Sequence, residues 1–115
     1  MSKTLPELAD VLDKAADHID TVGWWQGSLY EDASRPVTAC PVCAMGAINM
    51  ALYGTPQFPL QARRENYETY LVADLLRPRI GYSELADWND VEGRTQAEVT
   101  ALMRETATEL RGGAA

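Results

Sequence analysis

The residues whose spacing most directly invites a chemical reading are Cys40-Pro41-Val42-Cys43. A C-P-x-C at a helix start is the arrangement that lowers a thiol pKa, because helix amides stabilise a thiolate. A redox dithiol of this kind belongs with a βαβ pattern, and the chain has none. Read as zinc ligands, the two thiols supply half of the four that a structural site needs. There is no second cysteine pair, and His18 is the sole histidine, so a Cys₂His-plus-carboxylate site is the remaining metal option. Against both stands the plainer reading of two small thiols packed at a helix N-terminus. The expectation is no metal and no cofactor.

Trp24-Trp25-Gln26-Gly27 is the second constellation. Two adjacent indoles after a helix do not easily face one core. Either one is buried and the other is a surface interaction anchor, or both are covered by the loop that follows. That loop, Ser28 to Ala39, exceeds the usual ~4–6 residues.

Trp88-Asn89-Asp90, followed by Gly93-Arg94-Thr95, is the third. Asn and Asp after a short helix make Asx-type turns, and Asp90 is placed to pair with Arg94. A catalytic Asp90 would need a base or metal that the sequence does not name. The fourth is Asp10, Asp13, Asp17 and Asp20, along one side of the first helix. Such a ridge is an ordinary solvated face, or a row of phosphate mimics for a basic or nucleic-acid-binding partner. His18 sits at the edge of the apolar face of that helix, a boundary position.

Helices must position these groups. Thr4 and Glu7 form a T-x-x-E capping box, and Pro6 is tolerated in the first turn. Leu5, Leu8, Val11, Leu12, Ala15, Ala16, Ile19 and Val22 then share one face, with Gly23 as the stop. A second helix is predicted from near Pro41 to about Tyr53. Gly46 lies inside it and marks a close helix crossing. A third covers about Leu60 to Leu76, ended by Arg77-Pro78. Ser83 caps a short helix through Trp88. A second capping box, Thr95 with Glu98, starts the last helix, whose stripe is Val99, Leu102, Met103, Thr106 and Leu110, with Ala107 beside it. Arg35 to Ala39 has a weak extended signal, and one short segment makes no sheet. The predicted fold is all-α: a compact bundle of about four main helices plus a short one, in a single domain over 1–111, with 112–115 a disordered tail.

The chain has 115 residues and a net charge of −7, with the acid concentrated in its two terminal segments. That balance argues against a nucleic-acid backbone or an anionic membrane as direct partner, and it would attract a basic protein. No run of ~20 unbroken apolar residues spans a membrane, and the start shows no secretory pattern. A cytoplasmic location is expected.

The ordered string A-A-D-H-I, Gly23-Trp24 with Gln26-Gly27, Cys43-Ala44-Met45-Gly46-Ala47, Ala86-Asp87-Trp88-Asn89-Asp90 and Gly93-Arg94-Thr95 with Val99 resembles a family of small proteins of unknown function from actinobacteria and their phages. The resemblance runs from about Val11 to Thr106. The motifs G-W-x-Q-G, C-x-x-G-A and W-N-D-x-x-G-R-T carry it. The family pattern has one cysteine, matching Cys43, so Cys40 departs from it and weakens the paired-cysteine readings. The resemblance implies a helical domain of actinobacterial or phage origin and no activity.

The sequence therefore reads as an uncharacterised acidic helical protein that acts by binding to a protein partner, a basic one being favoured by its charge. No catalytic residue is assigned. The candidate surface joins Trp24, Trp25, Gln26, Tyr30 and Arg35 to Trp88, Asn89 and Asp90, as aromatic anchors, an amide donor and charged orienters. An enzyme or small-molecule binder with a pocket near Trp24, Trp88 and Cys43 is the alternative, and an acidic phage-type inhibitor occupying a nucleic-acid-binding site is the third reading.

Overall fold

The computed structural model describes residues 3–32, 34–60 and 67–112. Helix α1, Leu5–Val22, begins on the expected capping box. Thr4 Oγ1 accepts from Glu7 N, and Thr4 N donates to the Glu7 carboxylate at 2.8 Å. Those bonds, the Thr4 backbone N–H first, hold the Glu7 carboxyl below its ordinary pKa. The helix ends on Gly23, whose N–H reaches Ile19 O. From Leu8 to Ile19 its apolar face is buried. Leu5, at the helix start, is 53% exposed.

Helix α2, Ala44–Tyr53, starts three residues later than predicted. Pro41 and Val42 lie outside the helix, between Cys40 and Cys43 in extended conformation. Val42 makes isolated β-bridges to Trp24 and to Tyr30, so this short piece lies between the two arms of the loop after α1. Arg35 to Ala39 is not extended: Val37–Ala39 form one 3₁₀ turn. The close approach at Gly46 is real, but its neighbour is not a helix. A Cβ on Gly46 would lie 2.1 Å from the carbonyl oxygen of Leu29. The loop backbone, fixed there by Cys43 N donating to Leu29 O at 3.1 Å, takes the space.

Helix α3, Glu68–Ile80, runs through Pro78, which was expected to end it. A proline so near the C-terminus forfeits only one backbone hydrogen bond. The stop is Gly81, in the left-handed region at φ 72°. The predicted start near Leu60 leads into 61–66, outside the described residues. Helix α4, Leu85–Asn89, is N-capped by Glu84 without a side-chain hydrogen bond, so Ser83 is not its cap. Helix α5, Gln96–Leu110, opens on the second capping box, with Val99, Leu102, Met103, Thr106 and Ala107 of its stripe buried and Leu110, at its end, half-buried. The tail expected at 112–115 lies, from 113 on, outside the described residues.

The fold is all-α, with helices of these lengths and no strand among the described residues. Helix α1 packs against α5 and α2, and α3 leans on α2, α4 and α5. The core lies between them, around Leu12, Ile19, Ile48, Leu76 and Met103, all fully buried. No described helix is long and apolar enough to cross a membrane.

The acidic ridge of α1 is an interhelical seam. Arg111 reaches Asp10 at 2.6 Å and Asp13 at 2.7 Å, while Arg104 reaches Asp17 at 3.0 Å and Asp20 at 2.9 Å. The four aspartates fall at the spacing of two arginines seven residues apart, Arg104 on α5 and Arg111 at its C-cap. Their like-charge repulsion is offset across the helix pair, a relationship that inspection of α1 alone does not reveal.

Candidate functional site

Asn89 organises the face on which the candidate residues fall. Its side chain is fully buried at the end of α4. Oδ1 accepts from Trp24 Nε1 at 2.8 Å and from Ala44 N at 3.0 Å. Nδ2 donates to Trp25 O at 3.1 Å and to Asp90 Oδ1 at 3.0 Å. Both donors and both acceptor directions of the amide are thus used, the condition under which a buried polar group stabilises rather than costs. One of the partners, Ala44 N, belongs to the first turn of α2, whose amides lack intrahelical acceptors. Asn89 therefore ties together the loop after α1, the start of α2 and the turn after α4.

Gln26 and Asp90 extend the tie. Gln26 Nε2 donates to Asn89 O and to Val91 O, each at 3.0 Å. Gly27 N donates to Asp90 Oδ1 at 3.0 Å. The expected pairing of Asp90 with Arg94 does not form. Arg94 instead places its guanidinium 4.1 Å from the centroid of the Trp88 ring, donates from Nε to Trp88 O, and pairs with Glu98. Asp90 is thereby left to the loop.

Of the sequence-predicted site residues, the fold brings Trp24, Trp25, Gln26, Trp88, Asn89 and Asp90 together. The two indoles divide less sharply than expected, for both are half-buried. Trp24 packs against the core, and Trp25 Nε1 donates to Ser28 Oγ at 3.0 Å. Tyr30 lies farther along the loop, where its hydroxyl accepts from Gln57 Nε2 at 3.2 Å. Arg35 is exposed, and its hydrogen bond is at the backbone, where its carbonyl is approached by Cys40 Sγ at 3.8 Å. Its guanidinium does not join the Asn89 network.

Beside this network is a cleft of about 240 Å³. Leu29, Cys43, Met45, Phe58, Ala86 and Asp90 are among the residues that line it. A second hollow of about 190 Å³ shares Met45 and Tyr70 with it and is lined in part by Asp74, Arg77 and Glu84. Phe58 stacks on Tyr67 and Tyr70 at ring-centroid distances of 4.9 and 5.7 Å. Reading the sequence missed Leu29, Met45, Phe58, Tyr70 and Ala86. They come from separate segments, and no spacing rule connects them.

Cys43 is the N-cap of α2, and its Sγ accepts from Gly46 N at 3.4 Å. Burial pushes its thiol pKa up to about 11, against the smaller opposing pull of the helix amides. The helix-start effect is present but loses to desolvation, so the thiol is neutral at pH 7. Cys40 is also free and buried, with Sγ directed at Pro36 O at 3.4 Å. Among the described residues no three His, Cys, Asp or Glu side chains gather so as to hold a metal ion.

A family of unknown function, DUF6197, matches this chain over residues 3–109, and the chain belongs to it. No curated protein matches significantly, and neither does any solved structure.

Proposed function

We propose that this DUF6197 member is a cytoplasmic binding protein, a single helical unit whose partner is another protein. The partner is engaged through the face made by the Trp24–Tyr30 loop and the Trp88–Asp90 turn. The observation that carries the reading is the Asn89 network. It fixes an otherwise irregular loop from three directions and holds a half-buried Trp25 and an exposed Asp90 beside an apolar cleft. A loop ordered before binding loses little conformational entropy on association, which is how a small face becomes an effective one. The net charge of −7 favours a basic partner. The resemblance of its ordered motifs to a family from actinobacteria and their phages supports an origin there.

The cleft supports binding more than a reaction at Cys43, because a thiol with a pKa near 11 is a poor nucleophile at pH 7. A phosphate-mimicking role for Asp10, Asp13, Asp17 and Asp20 is less well supported, since a partner would compete with Arg104 and Arg111 for the same carboxylates. Affinity capture from the native host, with wild type and Trp25→Ala in parallel, tests the proposal. A partner retained by wild type and lost by the variant, then reproduced with purified components, is the expected result. Equal recovery by both proteins would remove Trp25 from the site and the reading with it.

A further inference from the structure

We propose that the cleft receives a lysine side chain from an extended segment of the partner protein, its ammonium on Asp90 and its aliphatic stem along Leu29, Met45 and Phe58. This deepens the protein-binding reading and rests on it.

The cleft is lined by apolar side chains, Leu29, Met45 and Phe58 among them, and by one carboxylate among the described residues, Asp90. That division matches a ligand with a hydrocarbon body and a cationic end. Asp90 is held for the purpose. Its Oδ1 already accepts from Gly27 N and Asn89 Nδ2. No hydrogen bond or ion pair is made to Oδ2 among the described residues, and the residue is exposed. One oxygen is committed and one is open.

This asymmetry selects the cation. A guanidinium is matched by two carboxylate oxygens side by side, whereas an ammonium is a compact charge that needs one. Lysine fits the single open oxygen, and arginine does not gain its usual bidentate pair. Among the described residues that line the cleft, Asp90 is the one that carries a charge.

An extended peptide is favoured over a free amine by the shape of the hollow. Met45 and Tyr70 line both this cleft and the second hollow beside Asp74, Arg77 and Glu84, so the two are neighbours. A chain segment with its lysine in the first hollow would run on into the second, whose mixed charges suit a peptide backbone and polar neighbours. A small amine would fill the first hollow alone.

The test uses the full chain, uniformly labelled with ¹⁵N, and reads amide shifts at Gly27, Ser28, Cys43 and Ala86. The probes are three capped pentapeptides, Ala-Ala-Xaa-Ala-Ala, with Xaa lysine, arginine or norleucine, and free n-butylamine. The lysine peptide is expected to bind at least tenfold tighter than each of the other three. Asp90→Asn keeps the Oδ1 acceptor for Gly27 and Asn89 and removes the charge, so it should abolish the preference over norleucine with the melting temperature unchanged. Ala86→Trp, at an exposed position on the cleft wall, should block the lysine peptide in an otherwise folded protein. It serves as the second variant should Asp90→Asn be unstable.

Equal affinity for lysine and norleucine would overturn the charge recognition, and equal affinity for lysine and arginine the single-oxygen argument. Butylamine binding as tightly as the peptide would overturn the peptide as occupant. Absence of shifts at these amides with the lysine peptide at about 1 mM (about 4 kcal/mol of binding) would overturn the site itself. These outcomes are separate from those of the host capture experiment: a partner lost with Trp25→Ala but indifferent to Asp90→Asn leaves protein binding standing and removes the lysine.

Discussion

Trp24 and Asn89, 65 positions apart in the chain, meet through an indole N–H donated to the amide oxygen at 2.8 Å. The same oxygen accepts from the first amide of α2, so this one contact closes the loop, the helix start and the last turn of α4 onto each other. Asn89→Asp tests the polarity of the arrangement. It keeps the acceptor and turns the donor facing Trp25 O and Asp90 Oδ1 into a second acceptor, burying an uncompensated charge beside another carboxylate. A loss of about 3 kcal/mol or more is expected at pH 7. Because the buried carboxyl would have a raised pKa, the loss should shrink as the pH is lowered towards 5. Chemical denaturation at both pH values measures it, and an unperturbed Asn89→Asp would mean that the Nδ2 bonds contribute nothing.

Gly46 carries a steric demand rather than a conformational one. Its added methyl would meet Leu29 O at 2.1 Å, against backbone already bonded to Cys43 N. Gly46→Ala would ordinarily gain ~1 kcal/mol of helix propensity. Here overlap with the loop carbonyl should dominate, with a net loss of about 2–3 kcal/mol. A stabilised Gly46→Ala in a urea titration would show that the loop yields freely.

Cys43 is expected to react slowly. With a thiol pKa of about 11, roughly one molecule in 10⁴ carries the thiolate at pH 7. In a Cys40→Ala background, modification by a thiol-disulfide probe should run orders of magnitude slower in the native state than in urea. Serine is a good N-cap and can keep the bond from Gly46 N, so Cys43→Ser should change stability by less than ~1 kcal/mol. Cys43→Val, which removes that acceptor, should cost ~1 kcal/mol. Rapid native-state labelling would contradict the neutral, buried thiol.

His18 links stability to pH. Burial holds its pKa below the ordinary 6.5, and its Nε2 is buried without a hydrogen-bond partner among the described residues. Between the folded and unfolded pKa values the unfolded chain binds more protons. Stability is therefore fully present above pH 6.5 and falls as the pH drops below it. The melting temperature should decline from pH 7.5 to 5.5, and His18→Leu should flatten that decline. The capping carboxyls Glu7 and Glu98, whose pKa values are also lowered, act below their ordinary 4.5 and do not share this window. An identical decline in His18→Leu would assign the effect elsewhere.

The α1–α5 seam should be salt-sensitive and weak. Arg104 is doubly paired but 40% exposed, so Arg104→Gln should cost no more than ~1 kcal/mol, and less in 1 M salt. A loss independent of salt would point to packing of the arginine stem instead.

Local chemistry determined much of the fold. Both capping boxes, the buried stripes of α1 and α5 and the stop at Gly23 follow from residues within a few positions of one another, so they were legible without tertiary information. Helix α3 was less so, because a proline one turn from the end costs little and Gly81, not Pro78, supplies the stop.

The partners of polar groups were a different matter. Gln26, Asn89 and Asp90 are conspicuous in sequence, yet a hydrogen-bond partner 63 to 65 residues away has no spacing signature. The pairing of four aspartates with Arg104 and Arg111, the Leu29 carbonyl over Gly46 and the cleft itself are likewise products of packing. Periodicity specifies which face of a helix is buried; only the assembled helices decide what that face, and the charges beside it, are set against. The same division governs Cys43. The sequence set its thiol at a helix start, which lowers a pKa, and the tertiary structure closed the core over it, which raises the pKa by more.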